Sequence, residues 1–140
     1  MVNYSSLATE LVEYLSASAD AKHRRCTEDF THGEIRILAH LMRHGGSSTP
    51  GEICEQLTMT SPRVSAAVAN LVKKSLISRE TDTRDKRRSH IHITEEGRAF
   101  TEEKRRELVD SLARILGTLG EQDASEYVRI VGRICSIDAE

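Results

Sequence analysis

Eight basic side chains, Arg63, Lys73, Lys74, Arg79, Arg84, Lys86, Arg87 and Arg88, fall between Ser61 and Ile93, against only three acids, Glu80, Asp82 and Asp85. That stretch carries +5 and the remainder of the chain −7, although the whole has a net charge of −2. Clustered Lys and Arg raise the local potential even on a slightly negative molecule, so the chemistry offered there is anion binding. A solvated, ion-paired loop is the plainer account of the same charges. A second chemistry is thiol oxidation at Cys26, which follows His23, Arg24 and Arg25, because neighbouring positive charge favours the reactive thiolate. A third is metal binding: His40 and His44 have the i, i+4 spacing of a helical ligand pair, and His90 and His92 share one face of a strand. Neither pair has an evident third ligand, so no metal and no cofactor is expected. With no G-x-S-x-G elbow, no glycine-rich phosphate loop and no H-E-x-x-H, the chain is not read as an enzyme.

The frame for these groups is small. At 140 residues and 15.7 kDa there is room for one domain, 1–140, and none for a large multi-domain catalyst. A hydrophobic share of 38% beside 30% charged residues excludes wholesale disorder. No apolar run approaches the roughly 18 residues that span a bilayer, and the first segment carries acids where a signal peptide carries bases, so a cytoplasmic chain with no membrane partner is expected. Three cysteines at irregular spacing, Cys26, Cys54 and Cys135, fit neither a disulfide framework nor a zinc ribbon. With Trp absent and aromatics at 4%, the core must be built from Leu, Ile, Val and Ala, which suits helices.

The periodicity supplies those helices. Leu7, Leu11 and Leu15 with Ala8, Val12 and Ala19 predict an amphipathic helix from Asn3 to His23. Thr31 and Glu34 have the form of a capping box ahead of Ile35, Leu38 and Leu41, a helix that should stop at Gly45-Gly46. Thr49-Pro50-Gly51-Glu52 starts a short third helix carrying Ile53, Cys54 and Leu57. Thr60-Ser61-Pro62 starts a fourth, with Val64, Val68, Leu71 and Val72 as the expected buried stripe and Arg63, Ala66, Ala69, Asn70 and Lys73 opposite. Two such helices joined by a turn read as a helix-turn-helix. Ile77-Ser-Arg-Glu80 opens a strand, the polar TDTRDKRRS run is a hairpin tip, and His90-Ile-His-Ile93 alternates as a half-buried strand does. Thr94-Glu95-Glu96 then caps a long helix through Phe100, Leu108, Leu112, Ile115, Leu116 and Leu119, and a last helix carries Tyr127, Val128, Val131, Ile134 and Cys135. The expected fold is mainly α with a small β-hairpin wing: a winged helix-turn-helix over 31–94, with helical dimerisation parts at 1–30 and 95–140.

Leu76-Ile77, Arg79, the run Asp82-Thr-Arg84-Asp85-Lys-Arg87 and Ile91-His-Ile93-Thr94-Glu-Glu-Gly97 resemble the MarR family of bacterial transcription regulators, and helix order and length are similar over nearly the whole chain. The resemblance implies a homodimer whose first and last helices interlock. It also implies repression of adjacent genes through double-stranded DNA, with release by small phenolic or lipophilic ligands, metals or thiol oxidation. Apolar stripes on helices outside the winged part give an independent reason to expect a dimer.

On that basis the recognition helix places Ser61, Pro62, Arg63, Ser65 and Ala66 at base edges, with Asn70 and Lys73 further along the exposed side. Ala66 and Ala69 can pack on thymine methyls and hint at an A·T-rich half-site, unless they are there as good helix formers. In the wing, Arg87 aligns with the family's minor-groove arginine and Asp85 with the acid that orients it, while Arg84, Lys86 and Arg88 are assigned to phosphates. Ser75 departs from the glycine the family commonly has there, so altered local geometry is expected. Arg36 stands where the zinc-sensing branch has histidine. An effector cleft between the long stalk helix and the winged domain, bordered by Tyr14, His23 and Met42, is what the resemblance implies, and a regulator without any effector is the simpler alternative. A redox regulator using Cys26 on the same fold and a non-regulatory DNA-coating protein are the competing functions.

Overall fold

The computed structural model describes residues 2–17, 30–81, 84 and 89–138. Its elements are α1 (Tyr4–Ala17), α2 (Phe30–Arg43), β1 (Ser47–Ser48), α3 (Pro50–Leu57), α4 (Ser61–Lys73), β2 (Ile77–Thr81), β3 (Ser89–Ile93), α5 (Glu95–Leu119) and α6 (Glu121–Asp138). They fall into two compact units, Lys22–Glu102 and Met1–Ala21 with Glu103–Glu140.

In the first unit, Ile37, Leu38 and Leu41 of α2, Ile53 and Leu57 of α3, and Val64, Ala67, Val68 and Leu71 of α4 share one core with Ile77, Ile91 and Ile93. The expected stripe on α4 needs one correction: Ala67 is buried and Val72 is 40% exposed, because the core ends before the helix does on that side. Helix α3 starts as its sequence requires, with Pro50 in the first turn and the Thr49 Oγ1 accepting from the Glu52 amide at 3.2 Å. Thr31 lies inside α2, and the Glu34 carboxylate meets the Lys74 Nζ at 3.2 Å; the Thr31 side chain, on which the expected capping box depends, lies outside what the structure describes.

The wing is more than a hairpin. Three antiparallel strands run in the order β1-β3-β2, with Ser47 opposite His92, Ser78 also opposite His92, and Glu80 opposite His90. Ser89, Ile91 and Ile93 are buried while His90 and His92 are half-buried on the other face, the period of two that the sequence predicts.

Ser75 takes the left-handed turn after α4 in spite of its Cβ, at φ 63°. The Leu76 amide donates to the Leu71 carbonyl and the Ser75 amide to the Val72 carbonyl, each at 3.0 Å. These are the two bonds of a Schellman motif, closed by burial of Leu71 and Leu76 together. The altered geometry expected for Ser at this position is therefore absent; the backbone bonds outweigh a left-handed cost of about 1–2 kcal/mol. Ser75→Gly removes that cost, and a gain of about 1 kcal/mol in urea unfolding is the expected result.

In the second unit, Ala8 and Leu11 of α1 pack with Leu116 of α5 and with Ala124 and Val128 of α6. Described α1 begins at Tyr4, and its expected continuation to His23 lies outside the described residues. The Tyr14 ring lies over Gly132, where a Cβ would stand 2.8 Å from the ring Cζ, so only glycine permits that approach. Thr94 caps α5 as expected, its Oγ1 accepting from the Gly97 amide at 2.9 Å. Gly120 at φ 87° separates α5 from α6.

Candidate nucleic-acid interface

Helix α4 is buried along one side only. Ser61, Pro62, Ser65, Ala66, Ala69, Asn70 and Lys73 are all exposed and lie away from Val64, Ala67, Val68 and Leu71. The first turn offers hydroxyl and methyl groups together with amides that Thr60 does not cap through its side chain. Arg63 is placed differently from its exposed neighbours. It is half-buried, and its Nε lies 3.8 Å from where a Cβ on Gly33 would stand, so its guanidinium lies against the start of α2.

Two further side chains of α2 hold the helix-turn-helix, and both escaped the reading of the sequence. Arg36 Nη2 donates to the Leu57 carbonyl at 2.7 Å, satisfying a last-turn carbonyl of α3 with a positive charge at the negative end of the helix. Immediately after it, Thr58 closes α3 at φ 53° and ψ 48°, a conformation that a β-branched residue adopts only when its surroundings impose it. Glu34 and Lys74 meet across 40 positions, and no short-range pattern announces either contact.

In the wing, Arg84 is exposed. Asp85, Lys86, Arg87 and Arg88, to which the minor-groove and phosphate roles were assigned, lie outside the described residues. Nearer the sheet, Glu80 Oε2 lies 3.3 Å from His92 Nε2 across β2 and β3.

The remaining candidate chemistry is dispersed. The His40 and His44 rings sit 4.2 Å apart. Among the described residues, no group of three or more His, Cys, Asp or Glu is placed to hold a metal. Cys54 is half-buried against the winged core, Cys135 is half-buried on α6, and Cys26 and His23 lie outside the described residues. Tyr14 borders a cavity of about 470 Å3 within the helical unit, together with Leu7, Glu10, Val128, Arg129 and Arg133. Its hydroxyl donates to Glu10 Oε1 at 2.7 Å, and that carboxylate holds the phenol above its usual ionisation range. Met42 packs against the winged core, where its sulfur accepts from Arg98 Nη1 at 3.8 Å.

Residues 28–88, the segment that contains α2, β1, α3, α4 and β2, match the MarR family. A curated relative, the HTH-type transcriptional repressor MdtR of Bacillus subtilis (strain 168), is 29% identical over 104 residues, or 74% of this chain. The match spans 66% of that relative, just under two thirds of its length. The YusO protein of B. subtilis has a similar structure, with a TM-score of 0.62 and 23% identity, covering 94% of this chain and 85% of that one. A mutant of S. aureus MepR reaches 0.58 at 25% identity, covering 97% and 99%. Streptococcus pneumoniae FabT, solved in complex with DNA, also reaches 0.58, at 18% identity over 90% of this chain and 85% of that one. No described helix is long and apolar enough to cross a membrane. A helix-turn-helix followed by a three-stranded sheet and a long α5 is a winged helix-turn-helix fold, and over residues 28–88 the chain is similar in sequence to the MarR family.

Proposed function

We propose that this protein is a cytoplasmic, sequence-specific transcription regulator, a repressor that binds double-stranded DNA as a homodimer at a palindromic operator. The observation that carries the reading is α4: one face is locked into the core, and the other presents Ser61, Pro62, Ser65, Ala66, Asn70 and Lys73, with a run of basic residues following in the sequence. The repressor MdtR and the DNA complex of FabT support it by family and by fold. Ser61, Pro62, Ser65 and Ala66 meet base edges. Asn70, Lys73, Arg84, Lys86 and Arg88 hold the backbone, and Arg87, oriented by Asp85, enters the minor groove. Arg63, which packs on α2, joins them by swinging outward or by fixing the helix start. A small lipophilic or phenolic effector is the release signal, and the cavity beside Tyr14 has the volume such a molecule needs. No catalytic role is assigned to any residue.

Footprinting tests this function. The expected result is a protected pseudo-palindrome whose half-sites lie about 34 Å apart on one face of the duplex, since two symmetry-related recognition helices must enter successive major grooves. A single asymmetric site bound by a monomer, or uniform coating of any duplex, is the result that refutes it. Arg84→Ala should weaken binding to every sequence alike and flatten the plot of log K against log salt by about one unit per half-site. Anisotropy titrations between 50 and 200 mM salt, roughly the range over which phosphate contacts dominate affinity, measure that slope.

A further inference from the structure

The Glu34 side chain is 12% exposed, yet it is anchored to a lysine that is 55% exposed and stands immediately beyond the recognition helix. Both Glu34 oxygens lie within reach of the Lys74 Nζ, at 3.4 and 3.2 Å. A buried carboxylate needs a compensating charge far more than an exposed lysine does, so the pair is held from the Glu34 side. Helix α2 thus grips α4 at two separated places. Gly33 lies under Arg63 near the start of α4, and Glu34 holds Lys74 at its C-cap. Together these contacts restrain rotation of α4 about its own axis, on which presentation of its exposed face depends. The same contact takes Lys74 out of the pool of lysines that can meet phosphate.

We infer that Glu34 is a positioning residue for DNA recognition, a latch that sets the rotation of α4 and sequesters Lys74 from the DNA backbone. The inference rests on the DNA-binding function proposed above and adds to it a residue that touches no DNA. Its consequence is a separation of two affinities. Removing the Glu34 charge frees Lys74 for phosphate, which raises sequence-independent binding, and loosens α4, which lowers sequence-specific binding. A role in fold stability alone would lower both together.

The test is operator and random-duplex binding by the full-length wild type, Glu34→Gln, Lys74→Gln and the double variant, each titrated over a range of salt. Glu34→Gln should reduce the ratio of specific to non-specific affinity about tenfold, the scale of one lost base contact. Its non-specific salt slope should steepen by about 0.9 per chain, the value of one added phosphate contact. Lys74→Gln should lower the ratio without changing that slope, because a sequestered lysine contributes no phosphate contact. The double variant, whose neutral side chains can hydrogen-bond to one another, should recover the ratio and keep the wild-type slope. An unchanged ratio and slope in Glu34→Gln overturns the latch, and so does a parallel fall of both affinities that tracks the unfolding midpoint. If Glu34→Gln does not fold, a shallower slope in Lys74→Gln overturns it too. Wild-type protein that binds no operator refutes the DNA-binding function itself, a result distinct from a silent Glu34→Gln.

Discussion

Gly97→Ala should strongly destabilise the winged unit. A Cβ at Gly97 would stand 2.0 Å from the Leu76 carbonyl oxygen and 2.8 Å from Ile93 Cγ1. The first of these is backbone and has nowhere to retreat. Leu76 accepts from the Thr94 amide at 3.1 Å, and the Thr94 hydroxyl donates to the neighbouring Ser75 carbonyl at 2.7 Å, so the start of α5 is stitched to the turn that ends α4. Moving Leu76 would break that stitching and disturb the Schellman turn in which it participates, while moving Gly97 would pull β3 through Ile93. The expected loss is about 3 kcal/mol or more, at the upper end of what overpacking costs. Urea unfolding followed by circular dichroism measures it. Gly51→Ala is the matched control: in the exposed first turn of α3, its Cβ would meet nothing nearer than Thr49 Oγ1 at 4.0 Å. That change should be neutral or gain up to about 1 kcal/mol. A Gly97→Ala midpoint equal to that of the control would refute the steric account.

The glycine at 97 shows what a sequence can and cannot convey. Its place in the T-x-x-G helix start is visible in the chain, but the carbonyl that excludes a side chain belongs to Leu76, across a strand pair. Local signals fared well wherever the cause is local. Pro50 behind Thr49, the glycines after α2, the spacing of Val64, Val68 and Leu71 and the alternation of β3 all reappear in the structure, because capping, left-handed turns and periodicity act within a few residues. Misreadings occur where a distant partner wins. The Thr31 and Glu34 pattern suits a capping box, and nothing in it announces that the Glu34 carboxylate meets Lys74, 40 positions away. Ser47 and Ser48 have no strand character of their own and become β1 only because β3 supplies a ladder. Arg63 reads as an exposed donor by spacing and is half-buried because Gly33 leaves room for it. On the exposed face of α4, Ser61, Pro62, Ser65, Ala66, Asn70 and Lys73 were legible because amphipathicity alone sorts them from the core.

Ile134→Glu should convert the protein to a monomer and reduce operator affinity at least 100-fold. On α6, Tyr127, Ile130, Ile134 and Ile137 recur at intervals of three and four, all exposed, with Ile134 at 50% and Ile137 at 69%. Leu108, Ile115 and Leu119 of α5 are also exposed. This row is separate from the stripe that packs the unit itself, where Ala124, Val128 and Val131 of α6 meet α1 and α5. A helix that is apolar on a second side needs a second surface to bury it, and a symmetry-related copy supplies one from the same residues. In the winged unit, by contrast, Val72 alone among the described large apolar residues is more than a third exposed, which leaves that unit nothing comparable to cover. A carboxylate at 134 would have to be desolvated beside its symmetry mate, a cost that an interface of Ile and Leu cannot offset. DNA affinity then falls because the second half-site loses its tether: linking two binding modules is worth roughly 10²- to 10⁴-fold. Analytical ultracentrifugation beside anisotropy on a full operator and on an isolated half-site measures both. Half-site affinity should be unchanged in Ile134→Glu, and Ile134→Leu should behave as wild type. A wild-type monomer, or a dimeric Ile134→Glu with full operator affinity, would show that this apolar row serves some purpose other than self-association.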